Sequence, residues 1–489
     1  VSRELDATWL IADAARYPDG ARVDVHVRAG RIAAVVPAGD RPGSVAGARP
    51  EQHIDARGGL LLPGLHDHHL HLFALAAARA SIDLSAASLR AAGGLGAALA
   101  AAQVEQVDQV EHAGAWLRGV GYHEQSDGAL DRSRLDALMP DRPLRVQHAS
   151  GKVWFLNSPA LAQLDLADAP DGLERDAAGN PTGRLFRADD WLRAQRPASA
   201  VPDLAVLSRQ LASFGITGIT DASAGNNPAQ RAAFAAAQDR GALLQSVRIM
   251  GDASLGPAGG AAGLAVGERK FLLDDDDLPP VDALQDAVRA ARAQGRGTAW
   301  HCVSRAELVY ALHVLDAAGP AAPGVRDRIE HGGVVPDAYL PQLAARRLTV
   351  VSQPAFIAER GDRYRVEADP DDLPLLYRLA SLTRAGVPVA LSSDAPYGTV
   401  DPWAVMRAAV TRRTTLDAVI GANEALSPEA ALAGYLGAPD DPGGAPRSIR
   451  PGAAADLCLL HAPWSEVRGR LSADAVRAVF RAGVRVFGG

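Results

Sequence analysis

Residues 63–72 read Pro63-Gly64-Leu65-His66-Asp67-His68-His69-Leu70-His71-Leu72, and four of the chain's 13 histidines fall within six positions of this stretch. Imidazole is a common metal ligand, and two imidazoles at i and i+2 of a strand project from the same face. The apolar run Leu60-Leu61-Leu62 leads into the Pro-Gly break, so the cluster reads as a metal site at the end of a strand. Two His-x-His pairs are available, His66/His68 and His69/His71. Alternation puts Asp67, His69 and His71 on one face and His66 and His68 on the other, without saying which pair holds a metal.

The surrounding chain narrows the class. At 489 residues it exceeds one simple core, which predicts a large domain and a smaller one. A net charge of -7 with no basic tract argues against a nucleic-acid or anionic-membrane partner. No run reaches the roughly 18 uninterrupted apolar residues of a membrane span. Two cysteines, Cys302 and Cys458, cannot build a disulfide framework, which fits a reducing cytosol and a cytoplasmic protein. The first residues, Val1-Ser2-Arg3-Glu4-Leu5-Asp6, lack the regions of a signal peptide, and the missing initiator methionine reads as trimming. Lysine occurs only at Lys152 and Lys270 in an arginine-rich chain. A buried lysine can be neutral and nucleophilic where arginine stays charged, so a retained lysine is a candidate for chemistry.

Both ends of the chain are strand-like. Val23–Val27 and Arg31–Val36 flank an Ala29-Gly30 turn, and after Pro451-Gly452 come Asp456–Leu460, Val476–Phe480 and Val484–Val486. One small β domain from both termini is expected, over residues 1–60 plus 445–489. The middle, 61–444, alternates apolar runs with Ala-rich helical stretches such as Leu284–Ala293 and Ala306–Ala318. Candidate strands are Leu60–Leu65, Leu144–His148, Gly215–Asp221, Leu244–Met250, Arg269–Leu273, Thr298–Cys302, Arg328–His331, Thr349–Gln353 and Val387–Ser392. About eight βα units suggest an α/β barrel. The stretch 116–196 is too long for one unit and reads as an insertion over the barrel mouth.

Polar residues recur where these strands end. His301 closes Gly-Thr-Ala-Trp-His, His331 closes Arg-Ile-Glu-His, and Asp394 closes Leu-Ser-Ser-Asp. In a parallel barrel the C-terminal strand ends meet at one face, so these distant residues can converge with the histidine cluster.

Asp67-x-His69-x-His71 after Pro63-Gly64, followed by Lys270, His301, His331 and Ser393-Asp394-Ala395-Pro396, resembles the amidohydrolase superfamily. Within it the chain is similar to the amidohydrolase family 3 branch that includes N-substituted formamide deformylases. Pro140-Asp141-Arg142-Pro143, Asn157-Ser158-x-Ala160-Leu161, Asp401-Pro402-Trp403 and Arg450-Pro451-Gly452 extend the resemblance over nearly the whole chain. It implies a distorted TIM (β/α)8 barrel, a small β-sandwich from the two termini, and one or two divalent metals, usually zinc. By motif, His69 and His71 would be first-strand ligands, and Lys270 the fourth-strand lysine that the family often carboxylates to bridge two ions, giving N6-carboxylysine. His301 and His331 would be the fifth- and sixth-strand ligands, and Asp394 the eighth-strand aspartate that binds metal and shuttles protons. His66 and His68 would then point to the helix layer or bond to groups behind the ligands.

The implied reaction is hydrolysis of an amide or cyclic amide C–N bond in a small molecule. Asp394 would move the proton, and His331 would help polarise the carbonyl. The alternative on the same site is an ester, lactone or carbamate hydrolase, or a decarboxylase. Substrate contacts are expected from Lys152, which stands where the family often has histidine, and from the Tyr122-His123 pair and Trp154. For His123 a structural hydrogen bond is an equal alternative. Trp300, Phe356 and Tyr397 are further candidate pocket aromatics. Cys302 should face away from His301. A small molecule is the expected partner, with no nucleic acid and no membrane, and a homodimer is left open.

Overall fold

The computed structural model describes residues 8–40, 52–107, 116–195, 203–261 and 263–488. The hexapeptide Val1–Asp6 lies outside them. The chain divides into two compact units, Val1–Leu72 with Asp203–Gly489, and Phe73–Pro202.

The first unit carries eight parallel strands in sequential order: β1 Leu65–Leu70, β2 Ile216–Asp221, β3 Ser246–Gly251, β4 Leu264–Phe271, β5 Thr298–Cys302, β6 Arg328–His331, β7 Thr349–Ser352 and β8 Val389–Leu391. Outward residues of these strands pack against helices. Phe271, Trp300, Ile329 and Val350 meet Leu284 and Val288 of the helix Val281–Ala293, and Leu308 and Leu312 of the helix Arg305–Ala318. No ladder joins β8 to β1. Backbone bonds from flanking segments close that gap: His66 N to Tyr435 O and Leu391 N to Gly434 O at one level, and Asp394 N to His69 O and His71 N to Ala395 O at the C-terminal end. The result is a nearly closed, distorted TIM barrel.

The terminal strands form one hydrogen-bonded sheet. Leu457–Leu460 pairs antiparallel with Leu60–Pro63, which pairs parallel with Trp9–Arg16. The side chains of Trp9, Ile11, Val25, Leu61, Leu459 and Phe480 form one apolar core on this sheet. The run Leu60–Pro63 therefore belongs to this terminal sheet. The barrel strand runs from Leu65 to Leu70, so His66, His68 and His69 lie on the strand and His71 immediately after it.

Two expectations are corrected by the second unit. Leu144–His148 is a strand, but it belongs to a six-stranded sheet of this unit, beside Leu117–Tyr122 and Val153–Leu156. The insertion is also longer than 116–196. The Ala-rich helices Ala86–Ala92 and Leu95–Val107 have the look of barrel helices, but their Leu89, Leu95 and Leu99 pack on Leu117, Tyr122 and Leu144.

The barrel interior is unusually polar. TIM barrels usually fill this space with branched apolar side chains. Here Arg248 grips Glu268 through two bonds of 3.0 and 3.1 Å, and Arg328 grips Glu330. The rings of His66 and His68 lie 4.7 Å apart, and His66 Nε2 meets Thr220 Oγ1 on β2 at 2.9 Å. Both are buried inside the barrel, not in the helix layer. The reason is a bulge. Ile219 pairs with Asp67 and Asp221 with Leu70, so β1 uses three residues where β2 uses two. The extra residue breaks strict alternation and turns both histidine pairs inward at different depths.

Gly218 tests this placement. A Cβ there would sit 2.5 Å from His66 Nδ1 and 2.7 Å from Ser246 Oγ. Gly218→Ala is expected to cost about 1–3 kcal/mol through overpacking, read as a lowered thermal midpoint. An unchanged midpoint would mean that His66 does not fill the barrel beside β2.

Candidate metal centre

β1, β4, β5, β6 and the turn after β8 deliver polar groups to one cluster. His69 is held on every side but one. Its backbone N donates to Asp67 Oδ1 at 3.1 Å, its carbonyl accepts from Asp394 N at 2.8 Å, and its Nδ1 bonds Glu330 Oε2. The remaining nitrogen, Nε2, lies 3.4 Å from Asp394 Oδ1. His71 repeats the pattern with Nδ1 on Ser223 Oγ at 2.9 Å and Nε2 at 3.2 Å from the same Asp394 oxygen. His331 places Nδ1 on Gln353 Oε1 at 2.8 Å, and its Nε2 faces His301 Nδ1 at 2.9 Å.

Two of these residues have backbones in the left-handed region, His331 with φ 70° and Asp394 with φ 52°. A histidine there is uncommon, and such conformations cluster at functional sites. The turn lets His331 reach inward from the end of β6, next to the inward residues Arg328 and Glu330.

Electrostatics follow from burial. Burial drives the His331 imidazole down to about 3, and burial with the neighbouring His331 holds His301 well below its usual range. Both rings are neutral at pH 7, the form in which imidazole binds metal. Burial also lowers the Lys270 ammonium, against the opposing pull of Glu330. The Lys270 Nζ is buried without a hydrogen-bond partner. Burial alone would raise the Asp394 and Glu330 carboxyls. The adjacent His69 and His71 imidazoles outweigh it at Asp394, Arg328 and Lys270 outweigh it at Glu330, and both lie well below the usual carboxylate range.

The donor set fits a divalent ion. His69, His331 and Asp394 offer ligand atoms within 4.8 Å of one another. A tetrahedral shell with N and O ligands near 2.0–2.1 Å has edges of about 3.3 Å. The observed separations of 3.2 and 3.4 Å around Asp394 Oδ1 match that spacing. Asp394 Oδ1 is buried yet accepts no well-aligned hydrogen bond.

Sequence reading missed Glu330, Arg328, Ser223 and Gln353. The signal for the first two was present: a charged pair at i and i+2 of a fully buried strand must share an inward face. Trp300 does not line the site. It stacks on Phe271 at 4.4 Å in the helix layer, because His301 takes the inward position beside it. Cys302 faces outward as expected, buried in that same cluster.

The four residues read as substrate contacts lie in the Phe73–Pro202 unit. Tyr122 is buried in its apolar core with its hydroxyl donating to Gly128 O at 2.6 Å. Trp154 is buried, with Nε1 on Asp189 Oδ1 at 2.8 Å and the Arg145 guanidinium 4.9 Å from its ring. Lys152 is exposed, and its backbone pairs with Ser150 and Arg187. His123 Nδ1 accepts from Gln125 N at 3.2 Å and caps the short helix Glu124–Asp127. His123, Glu124 and His148 also sit within metal-ligand reach of one another. Their atoms are already engaged, with His148 Nε2 on Glu124 Oε2 at 3.0 Å and His148 Nδ1 on Ser150 Oγ at 2.7 Å. That group is accounted for as a helix cap and an ion pair.

Comparison with known proteins gives the same reading. The chain is 27% identical to N-substituted formamide deformylase of Arthrobacter pascens, over 89% of each sequence. An uncharacterized metal-dependent hydrolase from Pyrococcus horikoshii OT3 superposes with a TM-score of 0.74 at 19% identity, covering 94% of this chain and 99% of that one. One from Pyrococcus furiosus gives 0.70 at 21% identity, covering 93% and 99%. Residues 52–487 match the family profile Amidohydro_3. With a hydrolase profile across most of its length and a donor set built for a divalent ion, the chain belongs to the amidohydrolase family.

Proposed function

We propose that this protein is a metal-dependent amidohydrolase that cleaves an amide or cyclic amide C–N bond of a small molecule. The observation that carries the reading is the convergence of His69 Nε2 and His71 Nε2 on Asp394 Oδ1, 3.4 and 3.2 Å away, at a buried strand-end cluster. The name of the Arthrobacter relative supports the bond class, since a deformylase acting on N-substituted formamides breaks a C–N bond.

His69, His71, His301, His331 and Asp394 would hold one or two ions, with zinc the expected metal. Lys270 would complete a binuclear site as N6-carboxylysine. Its burial favours the neutral amine that reaction with carbon dioxide requires, and its Nζ has no competing hydrogen bond. A bound divalent ion supplies Lewis acidity, polarising a carbonyl oxygen and acidifying water toward a pKa of roughly 7. Asp394 handles the proton. Its carboxylate is ionised at neutral pH, so it can accept a proton from the attacking water and return it to the leaving nitrogen. His69 and Ala395 backbone groups fix its position on both sides, which keeps the carboxylate aimed at the cluster. His331 would be one of the residues holding the ion, with Gln353 fixing its ring through Nδ1.

Three outcomes are expected. Asp394→Asn should lower kcat by at least about 10²-fold while the thermal midpoint stays near wild type. Wild-type turnover in that variant, or in protein stripped with a chelator, would sink the proposal. Amine release measured on an amide panel should accompany turnover. Alcohol or carbon dioxide release instead would favour the ester, carbamate or decarboxylase alternative. For Lys270, native mass spectrometry should show a carbon dioxide adduct absent from Lys270→Met, with metal content falling from two ions to one. An unmodified lysine with unchanged metal content would rule out the bridge.

A further inference from the structure

We infer that Glu330, gripped by Arg328, is the positioning residue that sets the metal affinity of this site by fixing the tautomer and aim of His69. The inference rests on the metal-dependent reading of the cluster and adds a residue to it.

An ionised carboxylate only accepts hydrogen bonds. Glu330 is fully buried and both of its oxygens accept from the Arg328 guanidinium, an arrangement that holds the group as a carboxylate. Its bond to His69 Nδ1 therefore requires the proton to sit on Nδ1. With Nδ1 committed to Glu330, Nε2, the nitrogen that faces Asp394, is the one that can give a lone pair to an ion. Were the proton on Nε2, the ring would present a donor to the ion and could not bind it. Ser223 and Gln353 can donate or accept at His71 and His331, since a hydroxyl and an amide offer both functions. Of the Nδ1 partners seen at the three histidines, Glu330 is the one that admits a single tautomer and adds a negative charge.

Arg328 makes the arrangement rigid. Its Nε and Nη2 fork onto the two Glu330 oxygens, and Nη2 also donates to the His68 carbonyl at 2.8 Å. One guanidinium thus holds both the carboxylate that orients the His69 ring and the backbone immediately before His69. β6 and β1 are not neighbours in the sheet, so this brace spans the barrel interior. The Arg328 side chain is 2% exposed and that of Glu330 0%, so neither is held by solvent.

A purely structural ion pair would give a different result from a positioning one. Removing one member of a buried pair leaves an uncompensated charge and destabilises, whereas removing both is often neutral. The test measures zinc affinity by chelator competition and unfolding of the metal-free protein by urea, in wild type, in Glu330→Gln and in the double variant Arg328→Met/Glu330→Gln. Loss of such a supporting carboxylate typically weakens metal binding 10–100-fold. Glu330→Gln is expected to be less stable and to bind zinc about 10–100-fold more weakly. The double variant is expected to recover most of the stability and none of the affinity. Zinc affinity equal to wild type in the folded double variant would overturn the inference, whether or not the single variant folds. So would affinity that returns together with stability, the signature of a structural pair. Failure of wild-type protein to bind zinc or another divalent ion would overturn the metal reading itself.

Discussion

The first and eighth barrel strands meet without a ladder, and the molecule depends on how that gap is closed. At the C-terminal end the closure is a pair of backbone bonds, Asp394 N to His69 O and His71 N to Ala395 O. The residues that join the strands are the same residues whose side chains converge. Barrel closure at this end and the placement of His69, His71 and Asp394 therefore share the same backbone bonds. Asp67 reinforces the seam by accepting from both His69 N and Ser393 N through a single oxygen. The left-handed backbones of His331 and Asp394 fit this picture. Such conformations cost of order 1–3 kcal/mol and persist only where surrounding bonds over-determine them.

The polar barrel interior follows a similar logic at greater depth. Buried ion pairs are weak contributors to stability, because desolvation of both partners offsets their attraction. An apolar filling would serve the fold at least as well. The paired guanidinium groups do something an apolar filling cannot: they reach across the barrel with directed bonds. Arg296 binds backbone carbonyls of Gly251, Asp252, Gly267 and Glu268, tying the end of β3 to the middle of β4, while Arg328 connects β6 to β1. Donor-rich residues inside the barrel thus hold the strand ends in the positions that the cluster above them needs.

Most of the barrel was legible because its strands end in polar residues that have no place on an ordinary buried strand. Thr298–Cys302 and Arg328–His331 were read with their observed bounds. What could not be read was long-range. Leu144–His148 has the composition of a barrel strand, and only its hydrogen-bond partners reveal a different sheet. The His66/His68 pair was misplaced because alternation assumes an unbroken ladder, and a one-residue bulge has no clear signature in such a short run. Glu330 was passed over because His331 beside it had the more recognisable chemistry. Its role is visible only when His69, from the other end of the chain, is placed against it.

The distribution of basic residues makes a last point about this interior. Arginine is effectively always charged, so it is tolerated at 248 and 328 because a glutamate grips each guanidinium. Lys270 shares that buried interior without a partner for its Nζ. A guanidinium there would add a permanent charge beside Arg328, whereas an amine can shed its proton and stay. The same burial that disfavours a guanidinium at 270 lowers the Lys270 ammonium and so favours its neutral form. In a chain otherwise so rich in arginine, desolvation is a physical reason for a lysine at this position, because an amine can lose its charge where a guanidinium cannot.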